Sequence, residues 1–206
     1  MKRRTSAPKH FLAALPLFAI TLVLPTSAAT AQQKFVINPI AERKVQQLPA
    51  GPLYWHVENF PTLAAAQAAA GPTSLAAEAA GKIWLFTLGA KGAPTRGGGS
   101  KVVEIGPVPP ISAPEYLLRI NNAGGPPGAR TSAHTHPGAE AFYVLSGRLG
   151  QKTPHGISHV EAGQTMPGHG ADTKMEVFSS GTSDLNALVM FVVDASKPFS
   201  SPAKFE

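Results

Sequence analysis

Short apolar runs alternate with glycine- and proline-rich connectors along most of this chain. Ile83 to Leu88 (IWLFTL) reads as a buried strand, from its aromatic and β-branched content. Strands then come quickly: Lys101 to Ile105, Glu115 to Asn121, Ala141 to Leu145, Arg148 to Lys152, Ile157 to Val160, Lys174 to Ser179 and Leu185 to Asp194. Turns such as Asn122 to Gly128 and Pro154-His155-Gly156 separate them. Earlier in the chain, Phe35 to Ile40 reads as a first strand or an arm, and Leu53-Tyr54-Trp55 as another strand. Thr62 is an N-cap before Leu63 to Ala70, with Gly71 as the stop and Pro72 beyond, so a short helix is expected there. Leu75 to Ala80 fits either a further helical turn or a strand. Many short strands with Gly/Pro turns predict an all-β sandwich or barrel. The tail, Ser196 to Glu206, reads as an ordered strap or a frayed end, and no repeat of 20–50 residues is evident.

The N-terminus has a different pattern. Lys2, Arg3, Arg4 and Lys9 precede an apolar run from Phe11 to Leu24, and Ala29-Thr30-Ala31 fits the small-x-small cleavage rule. Residues 1–31 are therefore expected to be a secretory signal peptide cut after Ala31, and the protein to be periplasmic or secreted. A membrane anchor would need about 20 unbroken apolar residues, and Pro16 interrupts this run. No stable membrane span is expected after cleavage. Arg3-Arg4 is not followed by residues that fit twin-arginine export.

Cleavage would remove four of the 18 basic residues and none of the 12 acidic ones, bringing the net charge from +6 to +2. The basic character thus belongs to the leader. It gives no reason to expect nucleic acid as a partner, which would need a clustered basic patch. The absence of cysteine excludes disulfides, thiolate metal ligands and a cysteine nucleophile. The remaining 175 residues can bury a core unaided, as one domain. Gly97-Gly98-Gly99 does not match a phosphate loop, because no Gly-Lys-Ser/Thr follows.

The chemistry concentrates between two glycines. Gly128 is followed after five residues by His134, then Thr135 and His136; Glu140 follows after three more and Gly147 after a further six. Two histidines two apart on an extended strand project to one face. Glu140 lies just past a Pro137-Gly138 turn, at the start of the next strand. Two imidazoles and a carboxylate converging from adjacent strands suit a divalent transition metal. An incidental histidine pair and a surface glutamate are the bland alternative.

The five positions Gly128, His134, His136, Glu140 and Gly147 resemble the first motif of the cupin superfamily. That resemblance implies a jelly-roll β-barrel with a metal inside, covering residues 74–194. It would carry an N-terminal extension with a short helix over 32–73 and a tail over 195–206. The family's second motif would add a histidine as fourth ligand. Here Gly163 and Pro167 stand two residues closer together than the pattern, and the stretch after them runs Gly168-His169-Gly170-Ala171-Asp172. His169 is the fourth ligand on one reading and Asp172 on a second; on a third there is none, leaving His134, His136 and Glu140 as a three-ligand face with open positions.

Other residues enter with smaller roles. Phe142 falls on the Glu140 side of its strand and is expected to line the cavity, with Tyr143 on the opposite face. Arg130 is a candidate for an anionic substrate at the barrel mouth, or simply an exposed arginine. His155 and His159 flank a hairpin turn and read as exposed, and His56 as a hydrogen-bonded structural histidine. Iron, manganese, nickel, cobalt, copper and zinc all suit such a donor set, and softness does not separate them without thiolates. The ligand or substrate is expected to be a small molecule, and the reaction class an oxygenase, isomerase or lyase. A non-catalytic module binding a small ligand or a metal is the alternative. The resemblance also makes a homodimer an expectation, with Phe35 to Ile40 as the segment for exchange.

Overall fold

The computed structural model describes residues 34–206; the expected leader and its cleavage site lie outside the described residues. Strands β1 (Val36–Val45) and β2 (Leu53–Phe60) lead to helix α1 (Leu63–Ala69), then β3 (Ser74–Ala79), β4 (Lys82–Ala90) and β5 (Ser100–Ile105). The long strand β6 (Tyr116–Gly125) is followed by the two-residue β7 (His134–Thr135), β8 (Gly138–Ser146), β9 (Arg148–Thr153) and β10 (Gly156–Glu161). Strands β11 (Thr165–Met166), β12 (Glu176–Ser179), β13 (Leu185–Asp194) and β14 (Ser201–Pro202) complete the order.

Strand β13 organises the molecule. It is apolar on both faces, so it must be covered on both. In the five-stranded antiparallel sheet β1-β6-β13-β8-β11 it lies at the centre. Its odd-numbered residues Ala187, Val189, Phe191 and Val193 face one core, with Phe142, Val144, Leu149 and Val177. Its even-numbered residues Leu188, Met190 and Val192 face the other, with Trp55, Trp84, Phe86, Leu118 and Ile120. The first core is closed by the sheet β10-β9-β12, the second by the sheet β3-β4-β2-β5. Strand β7 joins the edge of β10-β9-β12 through reciprocal backbone bonds between His134 and Met175 (2.9 and 2.8 Å). The strand orders β6-β13-β8-β11 and β7-β12-β9-β10 interleave as two Greek keys, which defines a jelly roll.

Helix α1 forms where expected. The Thr62 side chain accepts from the Ala65 N–H at 3.1 Å, and Ala66 is buried with Phe60 and Leu85 on the outer face of the four-stranded sheet. Leu75 to Ala80 resolves as strand β3, because its alternate residues Leu75, Ala77 and Ala79 fill the second core. The expected division at residue 74 does not follow a layer boundary: β1 adds to the barrel sheet, while β3, β4 and β5 pair in the sheet that holds β2. No helix among the described residues is long and apolar enough to cross a membrane.

The motif glycines are backbone positions. Gly128 (φ +84°) and Gly147 (φ +72°) are both left-handed, and at Gly147 a Cβ would run into the backbone of Asp184 and Leu185. Two stability outcomes follow. Leu188→Ala, fully buried in the second core, should lose about 2–5 kcal/mol, measured by urea unfolding. Gly147→Ala should lose about 1–3 kcal/mol from the strained dihedral, with added cost from the clash.

Candidate metal centre

His134, His136 and Glu140 line one cavity of about 380 Å³ inside the jelly roll. The two imidazoles arrive on the β7 segment with ring centroids 5.0 Å apart. Each is oriented by a backbone carbonyl: His134 Nδ1 bonds Ser132 O at 2.8 Å, and His136 Nδ1 bonds Phe199 O at 2.7 Å. A carbonyl only accepts, so both rings carry the proton on Nδ1 and keep the Nε2 lone pair available. That second bond fixes tautomer and orientation as it does in metal-ligating histidines.

Phe199 belongs to the tail. Residues 199–203 run as a strap along β7, with Ser201 paired to Thr135 and the Ala203 N–H donating to Ala133 O at 3.0 Å. The Phe199 ring packs 4.7 Å from His136 and 5.0 Å from Phe191, measured between centroids. His136 is buried by this packing. Its pKa is pushed down to about 4 by burial; the hydrogen bond to Phe199 O works the other way, and the nearby His134 and Arg119 add smaller lowering effects.

Glu140 sits inside β8 and is 2% exposed. Burial pushes its pKa up to about 8, although a hydrogen bond from the Gln151 side chain works the other way. Gln151 comes from β9, is fully buried, and also directs its Nε2 at Met175 Sδ, 3.6 Å away. The Gln151 Oε1 has no hydrogen-bond partner. A buried carboxyl thus faces a buried amide that is itself incompletely satisfied.

The donor types therefore fit a divalent metal: two imidazoles in the right tautomer and a buried carboxylate on one cavity. Their positions do not close around a point. Among the described residues, no three histidine, cysteine, aspartate or glutamate side chains stand close enough together to hold an ion. The Glu140 carboxyl is engaged with Gln151 instead.

Neither proposed fourth ligand lines the cavity. Asp172 has an exposed side chain and a left-handed backbone (φ +60°), and its N–H donates to His136 O at 2.8 Å. The His169 ring lies 6.5 Å from that of His155. The loop after Pro167 is held against the barrel at Gly168 (φ +74°), where a Cβ would strike the Glu140 carbonyl. This spends the loop's approach on backbone contact. The residue across the bridge from His134 is Met175, and Val177, two further on, reaches the cavity wall.

Phe142 lines the cavity and Tyr143 packs on Trp84 across the sheet, as alternation requires. His155 and His159 are exposed, and His56 bonds Ala90 O at 2.8 Å through Nε2. Arg130 does not line the cavity: it pairs with Glu176 at 3.0 Å and lies over the Phe178 ring. The cavity's arginine is Arg119, which the sequence left unremarked along with Gln151, Met175 and Phe199. Leu118 and Ile120 alternating with Arg119 and Asn121 was the available signal, but such a pattern equally describes a strand with one wet face.

No family model matches the chain, and no curated protein matches it. Solved structures do. A cupin-like protein from Thermotoga maritima is 15% identical over 42% of this chain and 64% of its own, with a TM-score of 0.38. A DMSP lyase from Ruegeria pomeroyi is 19% identical over 41% of this chain and 42% of its own, with a TM-score of 0.36. A second DMSP lyase structure is 23% identical over 42% and 44%, also at 0.36. The chain spans less than half the length of either lyase.

The burial of Glu140 has a pH signature in metal-free protein. The folded state holds the neutral acid up to about pH 8, whereas the unfolded chain loses that proton near 4.5. Stability is therefore lost as pH rises from about 4.5 to 8. Glu140→Gln should relieve this loss: after chelator treatment, the variant should match wild type near pH 4 and exceed it by on the order of a few kcal/mol at pH 8. Denaturant titrations across this range check it.

Proposed function

We propose that this is an exported, cupin-type protein that binds a divalent transition metal through His134, His136 and Glu140 and handles a small organic molecule in the adjoining cavity. The observation that carries the reading is the pair of backbone-anchored imidazoles, each with Nε2 left as its free donor, beside a buried carboxylate. The motif spacing from Gly128 to Gly147 supports it independently.

Metal binding would take the Glu140 carboxylate from Gln151 and require its deprotonation. The incoming charge makes that loss favourable, reversing the effect of burial. Gln151 would remain beside the carboxylate as a hydrogen-bond donor, and the strap would hold His136 in register. A bound ion with open positions would polarise a carbonyl, activate water, or bind an enediolate or dioxygen.

A second reading, a non-catalytic binding module, is favoured by one observation. Besides the three proposed ligands, Arg119 is the sole residue with a titratable side chain on the cavity wall among the described residues. With Glu140 committed to the metal, no separate general acid or base remains there. Turnover after metal reconstitution separates the two readings.

Wild-type protein should carry close to one equivalent of a transition metal by elemental analysis. The His134→Ala/His136→Ala double variant should carry none while keeping its far-UV spectrum. Equal metal content in both proteins would defeat the site. Affinity should also rise as pH increases from 6 to 8, because Glu140 must release its proton.

A further inference from the structure

The cross-strand register of the barrel sheet sets Glu42, Arg119, Phe191 and Glu140 side by side on β1, β6, β13 and β8. Residues directly opposite one another in a sheet share a face. Arg119 therefore stands two strands from Glu140, roughly 10 Å between backbones, with the Phe191 ring between them. The cavity that joins them is at the small end of ligand pockets, which run about 300–1,000 Å³. Its wall there is Phe142, Leu149, Val177, Val189, Phe191 and Phe199.

The guanidinium is held in place but not consumed. Its Nε donates to Asn121 Oδ1 at 3.0 Å, and its Cζ lies over the Phe199 ring, 4.3 Å from the centroid. Among the described residues its terminal nitrogens make no hydrogen bond. The carboxylate facing them is Glu42, 3.8 Å away on an exposed side chain. An arginine fixed by stacking and by one bond, with its fork left over at an apolar cavity, is built to receive a planar oxyanion. A wholly apolar ligand would desolvate this charge and leave it only the Glu42 carboxylate at 3.8 Å.

We propose that the cavity takes a small hydrophobic monocarboxylate, with the carboxylate paired to Arg119 and the apolar body lying along Phe191 toward the His134–His136–Glu140 end. This deepens the functional reading above, and rests on it for what the far end does. The carboxylate pairing itself needs no metal.

The test uses full-length protein, both chelator-treated and metal-loaded, with phenylacetate and hexanoate as probes and their primary amides as isosteric neutral controls. Calorimetric titration of the metal-free protein should show a carboxylate binding about 10- to 100-fold tighter than its amide. Arg119→Gln should abolish that preference, bringing acid and amide to equal affinity, and Arg119→Lys should retain part of it. Equal binding of acid and amide by wild type would overturn the proposal without reference to any variant. So would failure of both acids to saturate at millimolar concentration. A preference that appears only with metal loaded, survives in Arg119→Gln and disappears in His134→Ala/His136→Ala would place the carboxylate on the metal; this overturns the Arg119 assignment while supporting the metal site. Conversely, a metal-free preference lost in Arg119→Gln stands even if elemental analysis finds no metal.

Discussion

The burial of β13 on both faces fixes the register of the barrel sheet, through its pairing with β6 on one side and β8 on the other. A ten-residue strand that is apolar on both faces is stable only between two cores, so its central place in the sheet follows from its composition. Because side chains alternate, fixing which face takes Phe191 and which takes Met190 also fixes the faces of β6 and β8. A slip of one residue would turn Glu140 and Arg119 toward Trp84 and Phe86, into a core with no polar partner. The cost of that misplacement locks the register, and the register brings the charged residues to one cavity.

The histidines depend on a different contact. Strand β7 is two residues long and could not by itself orient a pair of imidazoles. It is held by Met175 on one side and by the C-terminal strap on the other. Phe199 contributes twice, accepting a hydrogen bond from His136 Nδ1 with its carbonyl and placing its ring against both His136 and the Arg119 guanidinium. One strap residue thus links the proposed metal end of the cavity to its cationic end. Movement of the tail would disturb both ends together.

Glu140 shows how strongly burial can act without a partner charge. An isolated carboxylate in this core would be far too costly, so the group holds its proton near neutral pH and leans on Gln151. A cation arriving at the histidines would reverse the balance. The same desolvation that penalises the ionised acid alone strengthens its attraction to a bound ion. The Gln151 Oε1 has no hydrogen-bond partner, so the local polar network is incomplete as it stands.

The sequence by itself determined the all-β class, the positions of β4, β5, β8, β9, β10, β12 and β13 to within a few residues, the Thr62 cap, and the His134, His136 and Glu140 grouping on one cavity. These are set by local rules: alternation, turn chemistry and spacing within a few residues. The same rules missed β11 and β14, and read as turn the stretch 122–125 that ends β6. Leu75 to Ala80 stayed ambiguous because alanine suits either state, and only the neighbouring sheet with its open core favoured a strand. Tertiary structure alone decided the rest. His169 and Asp172 were reasonable from spacing, yet the loop turns its backbone inward at Gly168 and leaves both side chains off the cavity wall. Arg119 and Phe199, 80 residues apart in sequence, carry no local signal that marks either of them. Their meeting under His136 depends on long-range strand pairing, which no local pattern encodes.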